Sequence, residues 1–330
     1  MLRILHDTNY DFIKWWKWAI GITAAFLIIG LGSFIIRPNL NYSIEFTGGT
    51  LMQVEFAKPI DVGGLRSALD QAGFDGAEIQ QFGTNREYTI RARQAEEGGT
   101  ASTGAASVSD RIKSLLDQKY GAGQVRVTRS EAVGPKVGEE LTRDALIAML
   151  LSFLVTTVYL AIRFEWRFAL AALIATSHDV LTTLAFLKIM HLEISLTVIA
   201  AILTVIGYSL NDTIIIFDRV REDLRKGRKE TLYQTLNRSI NETLPRSVMT
   251  HATTLAATLA LLIFAGEVIR PFAWVMAFGI FTGTFSSIYI AGPTLLWIER
   301  KWPRKIGISR GTSTATRTSP TRRSTATAAR

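Results

Sequence analysis

The stretch ISLTVIAAILTVIGYSLNDTIIIFDRVR at 194–221 constrains the fold more than any other part of the chain. It is long and apolar enough to cross a bilayer as a helix, yet Asp212 lies among its apolar residues. An acid inside a membrane span is costly, and such residues usually face a bundle interior or a water path. The sequence therefore predicts that other helices surround Asp212.

The charge distribution excludes a nucleic-acid-binding surface. The chain has 330 residues, 48% of them hydrophobic, and a formal net charge of +9. The region 38–138 is close to neutral, and the basic excess lies in short segments beside the apolar runs. That is the pattern of a membrane protein whose basic loops remain in the cytoplasm. The absence of cysteine excludes a thiolate metal site.

Six apolar runs predict an α-helical integral membrane protein with six transmembrane helices. A cleaved signal peptide is the alternative for the first run, but its length and the absence of a small-residue cleavage pattern favour an uncleaved helix. The predicted spans are 18–37, 139–163, 168–188, 194–217, 247–266 and 271–298. The remaining segments are an N-terminal arm (1–17), an inserted domain (38–138), a basic loop (218–246) and a basic, disordered tail (299–330).

The positions of the basic residues predict the orientation. Lys and Arg cluster in the arm, in the turn at 163–167, in the 218–246 loop and in the tail. All four segments lie on one side if there are six spans, so both termini are expected in the cytoplasm and the inserted domain outside it. An amphipathic helix near the membrane surface is expected in the second half of the loop.

The inserted domain alternates strand and helix patterns. A Gly, Ala, Ser and Thr-rich linker without apolar periodicity is predicted at 94–109. The order of the other elements is βαββαβ, which indicates an α+β ferredoxin-like domain. Strands are predicted at 51–56, 77–82, 87–92 and 124–133, with helices at 61–72 and 110–120.

Asp212 is the first candidate for a proton-carrying residue. Burial in an apolar environment favours the protonated form of a carboxylate, and a nearby guanidinium favours the charged form. Arg246, at the start of the fifth span, is a candidate partner within reach. Two structural alternatives remain open: Asp212 forms only a helix–helix hydrogen bond, and Arg246 only extends its side chain towards the membrane surface.

Asp179, in the middle of the third span, is a second acid, and the sequence leaves open whether it conducts protons or only braces the helices. The spacing of the His and Asp residues matches no metal cage, and there is no phosphate-binding GxxxxGK[ST] loop. Gly279 and Gly283 indicate a close helix contact. The polar residues predicted to support the acids are His178, Tyr208, Ser209, Asn211, Thr250, Thr253 and Thr254.

Several motifs together resemble the SecD/SecF family of bacterial protein-export membrane proteins, within the RND superfamily. Glu45 stands where the first motif more usually has Asp, and the tail after Ile306 has no recognisable counterpart. The motifs follow the family order over about residues 10–305. They are IEFTGGT at 44–50, VGPKVGEEL at 133–141, HDV at 178–180, GYSLNDTIIIFDRVRE at 207–222 and TLPRSVMTHATTL at 243–255.

The resemblance implies a six-helix half of an RND-type transporter in the bacterial inner membrane, completed by SecD. It implies partnership with the SecYEG channel, the SecA motor and unfolded secretory proteins, with YajC as a further candidate partner. The function implied is proton-driven, late-stage protein translocation, with no enzyme activity and no cofactor. In that family the positions of Asp212 and Arg246 are tied to proton conduction, and the first also pairs with an acid of SecD.

One mechanism consistent with this resemblance is that protonation of Asp212 loosens its pairing with Arg246. The helices then repack, and the inserted domain tilts through joints at 43–50 and 133–141. Two other functions remain open: a proton-coupled RND-type exporter of a lipid or small molecule, and a structural membrane scaffold.

Overall fold

A bundle of long helices and a smaller inserted sheet domain make up the computed structural model of this chain. It describes residues 8–36, 40–74, 77–81, 83–92, 101–226, 230–266 and 268–303. The predictions for the first part of the arm, for the first part of the 94–109 linker and for the tail from 304 onwards lie outside these residues.

The elements follow one another in the order that the sequence predicts. A 3₁₀ turn at Ile13–Trp15 precedes the first helix, and a π turn at Ser287–Ala291 joins the last two. The helices and strands are α1 (Trp16–Ile36), α2 (Ile44–Thr47), β1 (Gly49–Phe56), α3 (Val62–Gln71), β2 (Glu78–Gln81), β3 (Glu87–Ala92), α4 (Ala101–Tyr120), β4 (Val125–Val133), α5 (Pro135–Arg163), α6 (Trp166–Ile189), α7 (Leu196–Arg225), α8 (Leu232–Phe264), α9 (Arg270–Ser286) and α10 (Gly292–Lys301).

The sheet domain has the predicted βαββαβ order. Its four strands form one antiparallel sheet in the order β2-β3-β1-β4. Alternate residues of the central strand β1, namely Met52, Val54 and Phe56, are buried against α3 and α4. Leu65 and Ile112 complete this core from the two helices. The structure therefore confirms the ferredoxin-like arrangement that the strand and helix patterns of the sequence predicted.

The predicted linker at 94–109 is wrong in its second half. Helix α4 begins at Ala101, nine residues before the predicted start at 110. Alanine at 101, 105 and 106 has the highest helix propensity, so the helix extends beyond the part that has an apolar stripe. Periodicity detects only the amphipathic portion of such a helix.

Among the residues that the structure describes, six helical stretches are long and apolar enough to cross a membrane, as predicted. Half or more of the most apolar window is buried in α6, in α7 and in the α9–α10 stretch. In α1, α5 and α8 less than a fifth of that window is buried. Helices α6, α7 and the α9–α10 stretch therefore form the centre of the bundle, and the less buried α1, α5 and α8 present apolar faces outward. We call the end of the bundle next to the sheet domain the domain side, and the other end the far side.

The predicted loop at 218–246 is mostly helical. Helix α7 continues to Arg225, and α8 begins at Leu232 with a Thr231–Gln234 capping box. Helix α8 then runs without interruption through Pro245 into the fifth span. The expected separate surface helix is thus the first part of α8, because the proline removes one backbone donor without ending the helix.

An ion-pair cluster holds the far-side ends of α7 and α8 together. Asp223, whose side chain is fully buried, lies 3.1 Å from Arg238 and 3.5 Å from Lys226. The N-terminal arm docks on the same part of α8, where the Asn237 amide donates to Asp11 Oδ1 over 2.6 Å. These contacts extend the bundle beyond the apolar length of its helices.

The pair Gly279 and Gly283 confirms the predicted close helix contact. A Cβ added at Gly283 would lie 3.0 Å from Ser209 Cβ, and one added at Gly279 would lie 2.2 Å from Val205 Cγ2. Helices α9 and α7 therefore approach as closely as glycine allows. This approach brings the polar residues of α7 against those of the α9–α10 stretch.

Candidate functional site

Asp212 lies near the middle of α7 and is only 3% exposed, as the sequence predicts. Its carboxylate faces α8, where Nε2 of His251 lies 3.4 Å from Asp212 Oδ2. The Ser247 hydroxyl, one turn earlier on α8, faces the same carboxylate. The contact to α8 therefore consists of an acid, an imidazole and a hydroxyl.

Arg246 does not pair with Asp212, and that prediction is wrong. Its side chain is exposed, and it forms no ion pair with any residue that the structure describes. Because α8 is continuous through Pro245, Ser247 and His251 share one face at i and i+4. Arg246 points away from that face, and no break in the helix allows it to turn inward.

The predicted polar seam on α8 is also only partly correct. Thr250 and Thr253 are exposed, and each hydroxyl donates to a carbonyl of its own helix. Thr254 is half-buried and accepts a hydrogen bond of 3.1 Å from the Tyr208 hydroxyl. Asn211 on α7 is exposed and does not join the site.

In the part of α8 that follows Pro245, the buried polar residues are Ser247, His251 and Thr258. The Tyr208 ring packs edge-on against the His251 ring with centroids 5.3 Å apart. The i, i+4, i+11 spacing of the three buried residues was visible in the sequence. His251 was considered there only as a metal ligand, because nothing in the sequence showed that its face meets Asp212.

Asp179 is fully buried on α6 and connects four helices. The Ser209 and Ser286 hydroxyls donate to Oδ2, the second over 2.7 Å. Nδ1 of His178 lies 3.0 Å from Oδ1, and its Nε2 lies 2.7 Å from the Thr23 hydroxyl on α1. Two predicted residues, His178 and Ser209, therefore contact Asp179, while Thr23 and Ser286 were not predicted.

The π turn places two consecutive serines towards this cluster. Ser287 exchanges a 2.8 Å hydrogen bond with Thr213 of α7, next to Ser286 on Asp179. An ordinary α-helix places consecutive residues about 100° apart, and a π turn changes that phase locally. The sequence contains the serines but gives no signal for the π turn, so the cluster was not predictable in full.

The two acids differ in whether the polar groups around them are fully hydrogen-bonded. Both Asp179 oxygens have partners from neighbouring side chains. At the other site, Ser247 Oγ and His251 Nδ1 are buried without a partner of ordinary hydrogen-bond geometry in the described part of the chain. Buried polar groups are normally paired, and exceptions often mark a functional or incomplete site. Both oxygens of Asp179 are therefore hydrogen-bonded, whereas two of the polar groups beside Asp212 are not.

These observations define a class: a multi-pass membrane protein with buried acids at Asp179 and Asp212 inside its helix bundle and an α+β domain inserted after the first span. Family models agree on the particular family. The model described as protein export membrane protein SecD/SecF, C-terminal, matches residues 112–301, and the SecD/SecF GG motif matches residues 38–60. The chain belongs to the SecD/SecF family.

Curated relatives are similar over almost the whole chain. Protein translocase subunit SecF of Gemmatimonas aurantiaca is 60% identical over 305 residues, covering 92% of this chain and 91% of the relative. The same subunit of Escherichia coli O157:H7 is 38% identical over 292 residues, covering 88% of both chains. The family resemblance inferred from the motifs is therefore confirmed.

Two solved structures share the fold. The crystal structure of SecDF, a translocon-associated membrane protein from Thermus thermophilus, is 34% identical with a TM-score of 0.78 and covers 91% of this chain. A SecDF structure in the super-membrane-facing form is 34% identical with a TM-score of 0.64. This chain spans 40% of the length of each SecDF chain.

Proposed function

We propose that this chain is the SecF-type subunit of a proton-driven SecDF machine that assists protein translocation. Its proton-carrying residue is Asp212, with His251 as the group that shares the proton. Asp179 braces the helices around it. The observation that carries this proposal is the buried carboxylate of Asp212 in the middle of a membrane helix, 3.4 Å from the imidazole of His251.

The pair of Asp212 and His251 suits reversible proton binding. With one proton between them the pair is neutral overall, whether the imidazole or the carboxyl group holds it. A second proton makes the pair cationic, which is unfavourable in an apolar surrounding unless an acid or water compensates. Proton loading at this site therefore changes the electrostatic energy of the contact between α7 and α8.

A neighbouring polar face supports a partner subunit. Thr204, Gly207 and Asn211 are exposed on α7 at i, i+3 and i+7. The exposed Thr250 and Thr253 lie on α8. A polar membrane face is more stable against another helix than against lipid. SecD, the other half of the solved SecDF relatives, fits this position and would complete the environment of the acid.

The energy available from protons is of the right size. One proton crossing about 150 mV releases about 3.5 kcal/mol, at about 2.3 kcal/mol per 100 mV. Moving a two-state element from 1:99 to 99:1 requires about 5.5 kcal/mol. One proton therefore gives a substantial bias, and two are enough for a complete switch between two arrangements of the helices.

The remaining parts of the proposal rest on what the family resemblance of the sequence motifs implies. The chain functions in the bacterial inner membrane with both termini in the cytoplasm, beside SecYEG, SecA and YajC, and it acts on unfolded secretory proteins leaving the channel. It uses the proton gradient and needs no cofactor or enzyme activity. The basic residues at the far-side ends of α5 and α7, Arg163 and Arg221 among them, support this orientation.

The test is proton flux and gradient-dependent export by the reconstituted complex with Asp212→Asn. We expect both to fall to background while co-purification with SecD is unchanged. The matched control is Asp218→Asn, an exposed acid on the same helix that lies 3.4 Å from Arg163. Proton flux at the wild-type level in Asp212→Asn, with the control equally active, would contradict the proposal.

Variants of the two histidines extend this test. His251→Gln retains a polar group of similar size without a proton to share at physiological pH, and it should reduce proton flux as strongly as Asp212→Asn. His178→Gln should affect stability more than flux, because His178 contacts Asp179. The reverse pattern would assign the proton to Asp179 instead.

A further inference from the structure

The segment 41–49, which we call the base segment, leads from α1 into the sheet domain. Its backbone forms a parallel β-bridge between Tyr42 and Ile194, in the turn just before α7. The Ile194 N–H donates to the Asn41 carbonyl over 2.7 Å, and the Ser43 N–H donates to the Ile194 carbonyl over 2.9 Å. The base segment is therefore attached to the membrane bundle by its main chain.

Glu45 caps the helix that carries Asp212. Its Oε2 accepts a 2.6 Å hydrogen bond from the N–H of Leu196, the first residue of α7, and a 3.1 Å bond from the Ser43 hydroxyl. A helix N-terminus has unpaired N–H groups and a positive end of its dipole, so a carboxylate there is favourable. This cap comes from the sheet-domain side of the chain, about 150 residues away in sequence.

An ion pair joins the sheet itself to the same turn. Arg91 on β3 pairs with Glu193, and its Nη1 donates to Asn41 Oδ1 over 3.3 Å. The two charged side chains are 12% and 24% exposed. Burial raises the pKa of Glu193, and the charges of Glu45 and Glu78 also raise it, whereas Arg91 and Arg129 lower it. The turn before α7 is thus held by the main chain, by a helix cap and by a partly buried ion pair.

The base segment also packs against the start of α5. A Cβ added at Gly138 would lie 2.9 Å from the Phe46 carbonyl oxygen and 3.1 Å from the Gly48 nitrogen. Gly48 has φ of 71°, a conformation that glycine adopts without strain. The two glycine-containing motifs therefore form one contact between backbones, which leaves little room for the flexible joints that the sequence indicated at 43–50 and 133–141.

We propose that the base segment is a clamp that ties the sheet domain to the domain-side end of α7, so that the domain and the Asp212 helix move as one body. This inference rests on the proposed function, because the clamp has a role only if proton binding at Asp212 moves α7 and this movement is passed to the sheet domain. Leu196 and Asp212 are 16 residues apart, which is about 24 Å along a continuous helix. Any displacement of α7 at Asp212 then reaches the domain through Glu45 and Glu193.

The test uses the complete complex in vesicles and two separate readings, proton flux and gradient-dependent export. Arg91→Glu places two acids in contact and should lower export at least about tenfold, because breaking a partly buried pair is strongly unfavourable. Proton flux should stay within about twofold, because the Asp212 site is intact. The charge-swapped double variant Arg91→Glu with Glu193→Arg should recover export.

A second pair of variants separates coupling from folding. Glu45→Gln keeps an acceptor oxygen for the Leu196 N–H, whereas Glu45→Ala removes it, so export should fall much more with Ala. The chain has no cysteine of its own, so Arg91→Cys with Glu193→Cys gives one defined pair. Joining that pair with a short bis-maleimide should restore the export that the two substitutions remove.

Each result has one meaning. Export that is unchanged in Arg91→Glu, or that the charge swap and the cross-link fail to restore, overturns the clamp. Loss of proton flux together with export in Arg91→Glu also overturns it, because the pair would then support the proton site itself. A wild-type complex without proton flux would instead contradict the proposed function, and this control is read before any variant.

Discussion

Replacing Gly283 by alanine tests the close contact between α7 and α9 on which the Asp179 cluster depends. The added Cβ would lie 3.0 Å from Ser209 Cβ, and 3.2 Å from both its Cα and its Oγ. Carbon atoms in van der Waals contact are about 3.5–4.0 Å apart. Because one neighbour is a backbone atom, the side chain of Ser209 cannot relieve the overlap by rotation, and the helices must separate by about 0.5–1 Å.

The cost can be estimated from two contributions. Overpacking of a tight contact costs about 1–3 kcal/mol. Separation also stretches the hydrogen bonds that Ser209 and Ser286 donate to the same oxygen of Asp179, and a weakened bond to a charged group adds about 1 kcal/mol. Alanine gains about 1 kcal/mol over glycine in helix propensity. The expected net loss of stability for Gly283→Ala is therefore about 1–3 kcal/mol.

The assay is thermal unfolding of the detergent-solubilised chain, followed by the fluorescence of its seven tryptophans. The matched control is Gly292→Ala, where an added Cβ meets nothing within 4 Å. The control should be neutral or slightly stabilised, and Gly283→Ala should unfold several degrees earlier. Equal unfolding temperatures for the two variants would refute the argument that backbone proximity at Ser209 determines the packing.

Two further predictions concern charged groups at the two ends of the bundle. Because burial raises the pKa of Glu193 despite its ion pair, the charged form is disfavoured in the docked domain. The contact between the sheet domain and the membrane bundle should therefore strengthen as pH falls through that raised pKa. Limited proteolysis across pH measures this contact, and Glu193→Gln should remove its pH dependence. Arg238→Met leaves the buried Asp223 without its nearest cation, although Lys226 and Arg219 remain 3.5 and 3.7 Å away. Because these two cations still compensate part of the charge, the variant should cost about 1.5–3 kcal/mol in denaturant unfolding, and the double variant that also carries Asp223→Leu should recover most of that loss.

The membrane spans and the sheet were predictable because their patterns are local. Strand β3 was predicted at 87–92 and is observed at Glu87–Ala92, since alternating residues on a half-buried strand define its ends. Burial of Asp212 followed from the cost of an acid in an apolar run. Both conclusions need only the neighbouring sequence and the general properties of water and lipid.

The partner of Asp212 was not predictable in the same way. It depends on the phase of α8, and a proline at 245 normally indicates that a helix starts or breaks there. Arg246 was therefore predicted to make the contact with Asp212 that His251 makes. The Asp179 cluster additionally requires the π turn and the approach of α9 at Gly283, which are tertiary features without a periodic signal.

Helix α8 is unbroken and long, so a small tilt near its middle displaces its ends by a larger distance. Its 33 residues correspond to about 50 Å, whereas the apolar core of a bilayer is about 30 Å thick. His251 lies 19 residues from the far-side end at Leu232, a distance of about 28 Å along the axis. A tilt of about 5° at the contact with Asp212 displaces that end by about 2.5 Å, a geometric consequence of the helix length. The ion pairs of Asp223 and the N-terminal arm are attached to that end of α8, so they would be displaced with it.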